Sequence, residues 1–505
     1  MRPPTRRDIC RGLAALPFSA GLSAADAARP LTIGLYQSIA GFEIGTVKSM
    51  SQATISVSLA VLEGLFAIDF EGNRAPMPRL GTAFELAADG RSAVVHLRRG
   101  VRFHDGTPFD ADAVAFHYNR ILDPALGLGL NTTFLEPLER VDVIDTSTVR
   151  FVLKTPWYGL QTALAIDHPM NLIGSPAAIQ ADAAAFNRHP IGTGPFIFER
   201  WISDDHISLS RNVDYWESGK PASDRILFRF IPDENARFQS LRAGDIDIAW
   251  IDNPSNVLAA KKSAQLAVHE SLDASGFIWM FNHRKPPFDD PRARAAVIHG
   301  FNAPSLANGY FQGLAVPSDG FVTSDSPWHC DSDWRSYDPS KAIAILKELD
   351  KPVRFTVNGY SSPDGRRLNA ILQEYMRSIG VDVTLQVYEP SRIFPLALRG
   401  DFELTQFRIA DYGGEPDLPF SYIIYKLMGY DNPRMAPMIA AARAEPDPAV
   451  RRRRYCDITA MLSNDAVFLY PMHSYSYVIT APSITGLGST HNHLVRVRTV
   501  HRRQS

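Results

Sequence analysis

Residues 30–36 (PLTIGLY), 92–97 (SAVVHL) and 149–153 alternate side-chain character at the period of two that predicts strands. Between them, residues 53–66 (ATISVSLAVLEGLF) place apolar side chains at helical spacing. The charged stretch 98–109 contains Asp105-Gly106, a strong signal for a hairpin turn. A helix is predicted over 110–122, with Asp110 suited to its N-cap and Asp112 to its first turn. Residues 158–166 are apolar and predict another helix. In the second half, strands are predicted over 276–282 (GFIWMFN), 353–358, 381–388, 402–409 and 466–470. Helices are predicted over 291–301, 339–349, 366–379 and 450–462. Asp338 before Pro339 supplies a cap with proline at the first helical position, and Gly380 suits a helix stop. The strand–helix–strand order over 353–388 predicts a parallel βαβ unit, and the whole pattern predicts mixed α/β lobes.

Length changes this picture by adding domains: 505 residues suggest about three. Composition is that of a soluble globular protein, with 45% hydrophobic and 21% charged residues. A net charge of −2 gives no reason to expect a nucleic-acid or membrane-surface partner. The first 27 residues read as an export signal. Arg6-Arg7 precedes a weakly apolar run, and Ala25-Asp26-Ala27 is a small-residue cleavage signal. This predicts a periplasmic protein exported by a twin-arginine-like or Sec route. Without that segment the net charge is −4. Cys10 follows Arg7-Asp8-Ile9, which lacks the small or apolar residues of a lipoprotein box. An oxidising compartment permits Cys330 and Cys456 to pair, while the helical pattern around Cys456 suits a buried free thiol equally well. No later run reaches the 18 apolar residues of a membrane span.

Seven blocks then carry a resemblance. They are HLRRGVRFHDGTPFDADAVAF (96–116), IGTGPFIFERW (191–201), RNVDYWESGKP (211–221), IPDENARFQSLRAGDIDIA (231–249), FNHRKPPFDDPRARAAV (281–297), SYDPSKAIAIL (336–346) and ADYGGEPDLPF (410–420). In this order they resemble the peptide/nickel class of extracellular solute-binding proteins, family 5, which feed ABC importers. One departure stands out: Phe301-Asn302-Ala303-Pro304 replaces the family's Ile-Asp-Arg.

The resemblance implies a two-lobed periplasmic-binding-protein-like fold (type II, large cluster) with a subdomain inserted in the first lobe. Lobe I is expected to combine residues 28–60, 190–272 and 476–505, with 61–189 as the insert and 273–475 as lobe II. The chain is expected to change lobes near 272–276 and 473–477, and the lobes to close around ligand by a hinge. The implied function is capture of a peptide or peptide-like solute and its delivery to an inner-membrane ABC permease, by a monomer without cofactor or resident metal. A nickel or other metal-chelate ligand is the alternative, supported by PIGTGP (190–195), NVDYW (212–216) and Tyr412-Gly413-Gly414. An enzyme is not expected: G-x-S-x-G, H-E-x-x-H, the P-loop and C-x-x-C are all absent.

Seven residues are candidates for ligand contact. Asp411 holds the position at which peptide-binding members place the partner of a peptide's α-ammonium group; an Asx turn into Gly413-Gly414 is its structural alternative. Arg408 suits a ligand carboxylate. Tyr412, Trp250 and Trp279 suit stacking, as does Phe407. His168 stands where nickel-binding members carry an arginine, and it lacks arginine's bidentate fork. Two further features are expected to be solvated: His491-Asn492-His493, because its surroundings are rich in Gly, Ser and Asn, and the run Arg451 to Arg454. The Gly192-Thr193-Gly194 turn is expected to shape backbone and not to hold phosphate.

Overall fold

The computed structural model describes residues 29–43, 51–126, 135–273, 276–318, 320–332, 336–409, 413–421 and 427–503. The expected export segment lies outside them.

An eight-stranded sheet organises the first lobe. Its order is Ala267–Asp273, Met472–Thr480, Ile248–Trp250, Leu31–Leu35, Arg225–Phe230, His206–Arg211 and Phe196–Ile202, with Ala315–Pro317 added beside Met472–Thr480. Leu31–Leu35 runs parallel to both neighbours and is buried at every position. That explains a strand apolar along its length. The insert carries a four-stranded antiparallel sheet ordered Gly81–Leu86, Ser92–Leu97, Thr148–Leu153 and Leu138–Asp145. Helix Ala111–Leu122 packs on it, capped by Asp110, which accepts the Ala113 N–H at 3.1 Å.

A five-stranded sheet organises the second lobe, ordered Asp382–Tyr388, Arg354–Tyr360, Leu404–Ile409, Gly276–Phe281 and Phe468–Leu469. Arg354–Tyr360 and Asp382–Tyr388 are parallel and joined by helix Pro363–Ser378, the expected βαβ unit. Strand Gly276–Phe281 feeds two cores by alternation: Trp279 and Phe281 on one face, Ile278 and Met280 on the other. The chain leaves the large sheet after Asp273 and enters the smaller one at Gly276. It returns between Leu469 and Met472.

Several elements differ from the expectation. Helix Gln52–Val61 stops before Phe66, which opens strand Phe66–Ile68. Leu62 is extended and Glu63 bridges Ile173, so tertiary pairing overrides the helical spacing. Only Leu160–Ala163 of the expected 158–166 helix forms. The strand expected over 466–470 shortens to Phe468–Leu469 because Ala466 turns with φ of 51°. Asn302, in the departure from the family pattern, caps helix Ala303–Gly309 by accepting the Ser305 N–H at 2.9 Å. Cys330 and Cys456 form a disulfide with 5.4 Å between their Cα atoms.

Candidate ligand cleft

The most distinctive sequence blocks assemble around one buried carboxylate, Glu63. Its Oε1 accepts from Tyr215 Oη at 2.7 Å and Arg79 Nη2 at 2.8 Å. Its Oε2 accepts from Trp216 Nε1 at 2.8 Å and Thr193 Oγ1 at 3.0 Å. The Arg79 and Arg98 guanidiniums lie 5.0 and 4.2 Å from the Trp216 ring centre, close enough for cation–π attraction. A Cβ on Gly192 or Gly194 would collide with the Val61 carbonyl. His104 clasps the same turn, with its Nε2 3.0 Å from the Gly194 carbonyl oxygen. These motifs are therefore scaffold: they tie the segments around Glu63 to one another.

The candidate cleft is the corner at which Gly413 meets Phe70. Gly413, at φ of +73°, approaches the Phe70 ring so closely that a Cβ would overlap it. The loop that follows is held by two buried ion pairs. Glu415 receives Arg451 Nε at 3.1 Å on both oxygens, and Asp417 receives Arg443 Nε at 3.0 Å on both. Arg451 is thus buried, contrary to the expectation of a solvated run, because its partner lies 36 residues away in sequence. Arg443 also reaches across to Glu136 of the insert at 2.8 Å, and its carbonyl accepts the Tyr158 N–H at 2.9 Å.

Opposite Gly413, Phe70 stacks on His491 with ring centres 4.3 Å apart. Arg496 lies over the other components of this corner, 5.0 Å from the Phe70 ring centre and paired with Asp167. The wall continues through His493, whose ring is 4.1 Å from that of Trp250, and Tyr36, edge-on to Trp250 at 4.2 Å. Asp252 Oδ1 accepts from Trp250 Nε1 at 2.6 Å and lies 2.9 Å from His493 Nε2. Asp273, the last residue of its strand, is fully buried, lies 2.8 Å from His491 Nδ1 and accepts the Asn492 N–H at 3.0 Å. His491-Asn492-His493 is therefore not a solvated loop. All three residues are at most 2% exposed. Asn492 and His493 both adopt φ of 58°, an unusual pair of left-handed residues.

Acidic groups lie along this wall, each beside an arginine or histidine partner. Glu234 accepts the Asp252 N–H at 3.0 Å and the Asn253 N–H at 2.7 Å. Burial, reinforced by the nearby Asp252 charge, pushes the Glu234 carboxyl up to about 6.

Of the seven candidate residues, only Trp250 lies in this described wall. Asp411 and Tyr412 lie outside the described residues, immediately before Gly413. Arg408 belongs to strand Leu404–Ile409, opposite Phe277, and its side chain is likewise outside the description. Trp279 is fully buried and donates to Asn369 Oδ1 at 2.9 Å. Phe407 is partly buried, with its ring 6.0 Å from that of Phe394. His168 is fully buried at the start of a short 3₁₀ turn, where its Nδ1 accepts the Met170 N–H at 3.2 Å. Burial pushes its pKa down to about 3, so the ring is neutral. The residues missed from sequence are Tyr36, Phe70, Asp252, Asp273 and the His491–His493 turn. The pair of histidines was a visible signal; the burial of its distant partner Asp273 was not.

Comparison with known proteins agrees with this architecture. Residues 75–427 match the family described as bacterial extracellular solute-binding proteins, family 5 middle. The chain is 31% identical over 444 residues to Di/tripeptide-binding protein 2 of Pseudomonas aeruginosa, covering 83% of this chain and 82% of that one. It is 27% identical to the glutathione-binding protein GsiB of Pectobacterium atrosepticum, covering 84% of each. Among solved structures it superposes on the ABC transporter-associated periplasmic binding protein DppA from Helicobacter pylori in complex with peptide STSA. That match has a TM-score of 0.85 at 21% identity, over 94% of this chain and 98% of that one. NikZ from Campylobacter jejuni in complex with Ni(L-His) has the same fold, with a TM-score of 0.81 at 21% identity, over 93% and 97%. The chain belongs to the family 5 bacterial extracellular solute-binding proteins.

Proposed function

We propose that this protein captures a short peptide or peptide-like solute between its lobes in the periplasm and delivers it to an inner-membrane ABC permease. One observation carries the reading. Gly413, which follows Asp411 and Tyr412 in sequence, lies against Phe70, and two buried ion pairs, Glu415–Arg451 and Asp417–Arg443, hold the segment after it. Gly413, two residues after Asp411 in sequence, is thereby held against an aromatic wall that includes Phe70 and His491. An α-ammonium group suits such a wall, since it keeps its charge on desolvation only with an anionic partner. The likeness to a di/tripeptide-binding protein over most of the chain supports the same ligand class.

In this reading Asp411 pairs with the ligand's α-ammonium group. Tyr412 and Trp250 flank the ligand, and Arg408 takes a ligand carboxylate. Bound ligand touches both lobes and so favours the closed state by its differential affinity.

Calorimetric titration with di- and tripeptides tests this, with nickel–histidine as the control ligand. Peptides are expected to bind one to one. Asp411→Ala is expected to weaken them tenfold or more, because a charge-assisted hydrogen bond contributes about 1.5–3 kcal/mol and each ~1.4 kcal/mol is a decade. Binding of the nickel chelate without any peptide binding overturns the reading in favour of a chelate. Unchanged affinity in Asp411→Ala removes that residue from the site.

A further inference from the structure

We propose that two ion pairs, Arg74–Asp325 and Arg443–Glu136, form a latch that sets how fast bound ligand leaves and takes no part in recognising it. This inference rests on the reading above, in which closure holds the ligand, and it names the groups that govern release.

Both pairs join the same two parts of the molecule. Arg74 lies in the turn before strand Pro76–Pro78, and Glu136 lies just before strand Leu138–Asp145 of the four-stranded sheet. Asp325 and Arg443 belong to the stretch between Gly276, where the chain enters the five-stranded sheet, and Leu469, where it leaves. Arg74 Nη2 lies 2.7 Å from Asp325 Oδ2, and Arg443 Nη1 lies 2.8 Å from Glu136 Oε2. Arg74 shares its turn with Phe70; its N–H closes that turn on the Asp69 carbonyl at 2.9 Å. Arg443 holds Asp417 and lies 5.9 Å from the Trp157 ring centre. One pair thus stands beside the Phe70–Gly413 contact and the other beside Asp417, at the two ends of segment 413–417.

Burial separates these pairs from permanent ones. The side chains of Glu415 and Asp417 are 5% and 11% exposed, so parting them from Arg451 and Arg443 strands a buried charge. Asp325 and Glu136 are 49% and 66% exposed. Each returns to water when its pair parts, and Arg443 keeps Asp417. Such pairs break and reform at little cost, as a release step requires. Their mounts are firm. Asp325 lies five residues before Cys330, whose disulfide ties this segment to helix Pro448–Asn464. From the same helix Arg452 donates to the His329 carbonyl and Arg451 holds Glu415.

Stopped-flow tryptophan fluorescence tests this with trialanine, trileucine and trilysine as probes, reading association and release rates separately. Asp325→Asn and Glu136→Gln keep side-chain shape and remove one anion each. Each is expected to speed release about threefold, and the double variant about tenfold, with association unchanged within about twofold. Raising salt from about 50 to about 500 mM is expected to speed release from the wild type and to leave the double variant unchanged. The charge exchange Arg74→Asp with Asp325→Arg is expected to restore slow release, since aspartate accepts the φ of 58° found at position 74. Thermal unfolding confirms that each variant is folded; if one is not, the other pair and the wild-type salt series decide.

Peptide binding with release unchanged in the double variant overturns the latch and leaves the peptide reading standing. So does an affinity loss carried by association alone, which assigns these groups to capture. A wild-type release rate that salt does not change also overturns it. Absence of binding by every probe overturns the peptide reading and this inference with it.

Discussion

Replacing His168 with asparagine tests the burial of that ring through the pH dependence of stability. The folded protein holds His168 at about 3, against an ordinary value of 6.5. The unfolded chain takes up a proton below pH 6.5 that the folded chain refuses. Stability from this group is thus fully present above pH 6.5 and is lost as pH falls toward 3. At about 1.36 kcal/mol per unit, lowering the pH from 7 to 5 costs about 2 kcal/mol. Asparagine keeps a side-chain oxygen to accept the Met170 N–H and does not titrate. His117 and His283 are also buried, at about 4 and about 3, and destabilise with the same sign. They are present in both proteins, so their effect cancels in the comparison. Urea unfolding at pH 7 and pH 5 is the assay. Wild type is expected to lose about 2 kcal/mol more than His168→Asn over that interval, whatever constant penalty the substitution carries. Equal losses would refute the reasoning, as would an NMR titration of His168 near its ordinary value. Peptide affinity at pH 7 is expected to be unchanged.

Other perturbations probe the scaffold. Glu63→Gln removes the shorter of the two ion pairs of Arg79, leaving Glu217 at 3.2 Å, and weakens acceptance from Tyr215, Trp216 and Thr193; a loss of about 1.5–3 kcal/mol is expected in chemical denaturation. Loss below about 1 kcal/mol would show that the hub is not a stabilising centre. The double change Cys330→Ser with Cys456→Ser opens a loop of 126 residues and is expected to cost about 2–5 kcal/mol. Reductant should then destabilise the wild type and leave the variant's unfolding midpoint unchanged.

Much of this fold was legible because its signals are local. Strand alternation, the Asp110 and Asp338 caps and the βαβ order each depend on residues within a few positions of one another. The errors share the opposite cause. Glu63 ends a helical pattern because its partners Thr193, Tyr215 and Trp216 lie more than a hundred residues away. Arg451 looked solvated within a run of four arginines, yet Glu415 buries it. His491-Asn492-His493 looked like a surface loop by composition, and Asp273, 219 residues earlier than Asn492, draws it into the interior. The cleft was the least legible part for the same reason: its wall joins Tyr36, Phe70, Trp250 and His493, which no sequence window contains. The family resemblance carried the expectation of a two-lobed fold, while the described wall came from tertiary contacts alone.

Small-angle scattering of the free protein and of the protein saturated with a tripeptide shown calorimetrically to bind tests the central claim most directly. Capture between two lobes predicts a smaller radius of gyration in the loaded protein. Identical scattering curves with the peptide bound would contradict it.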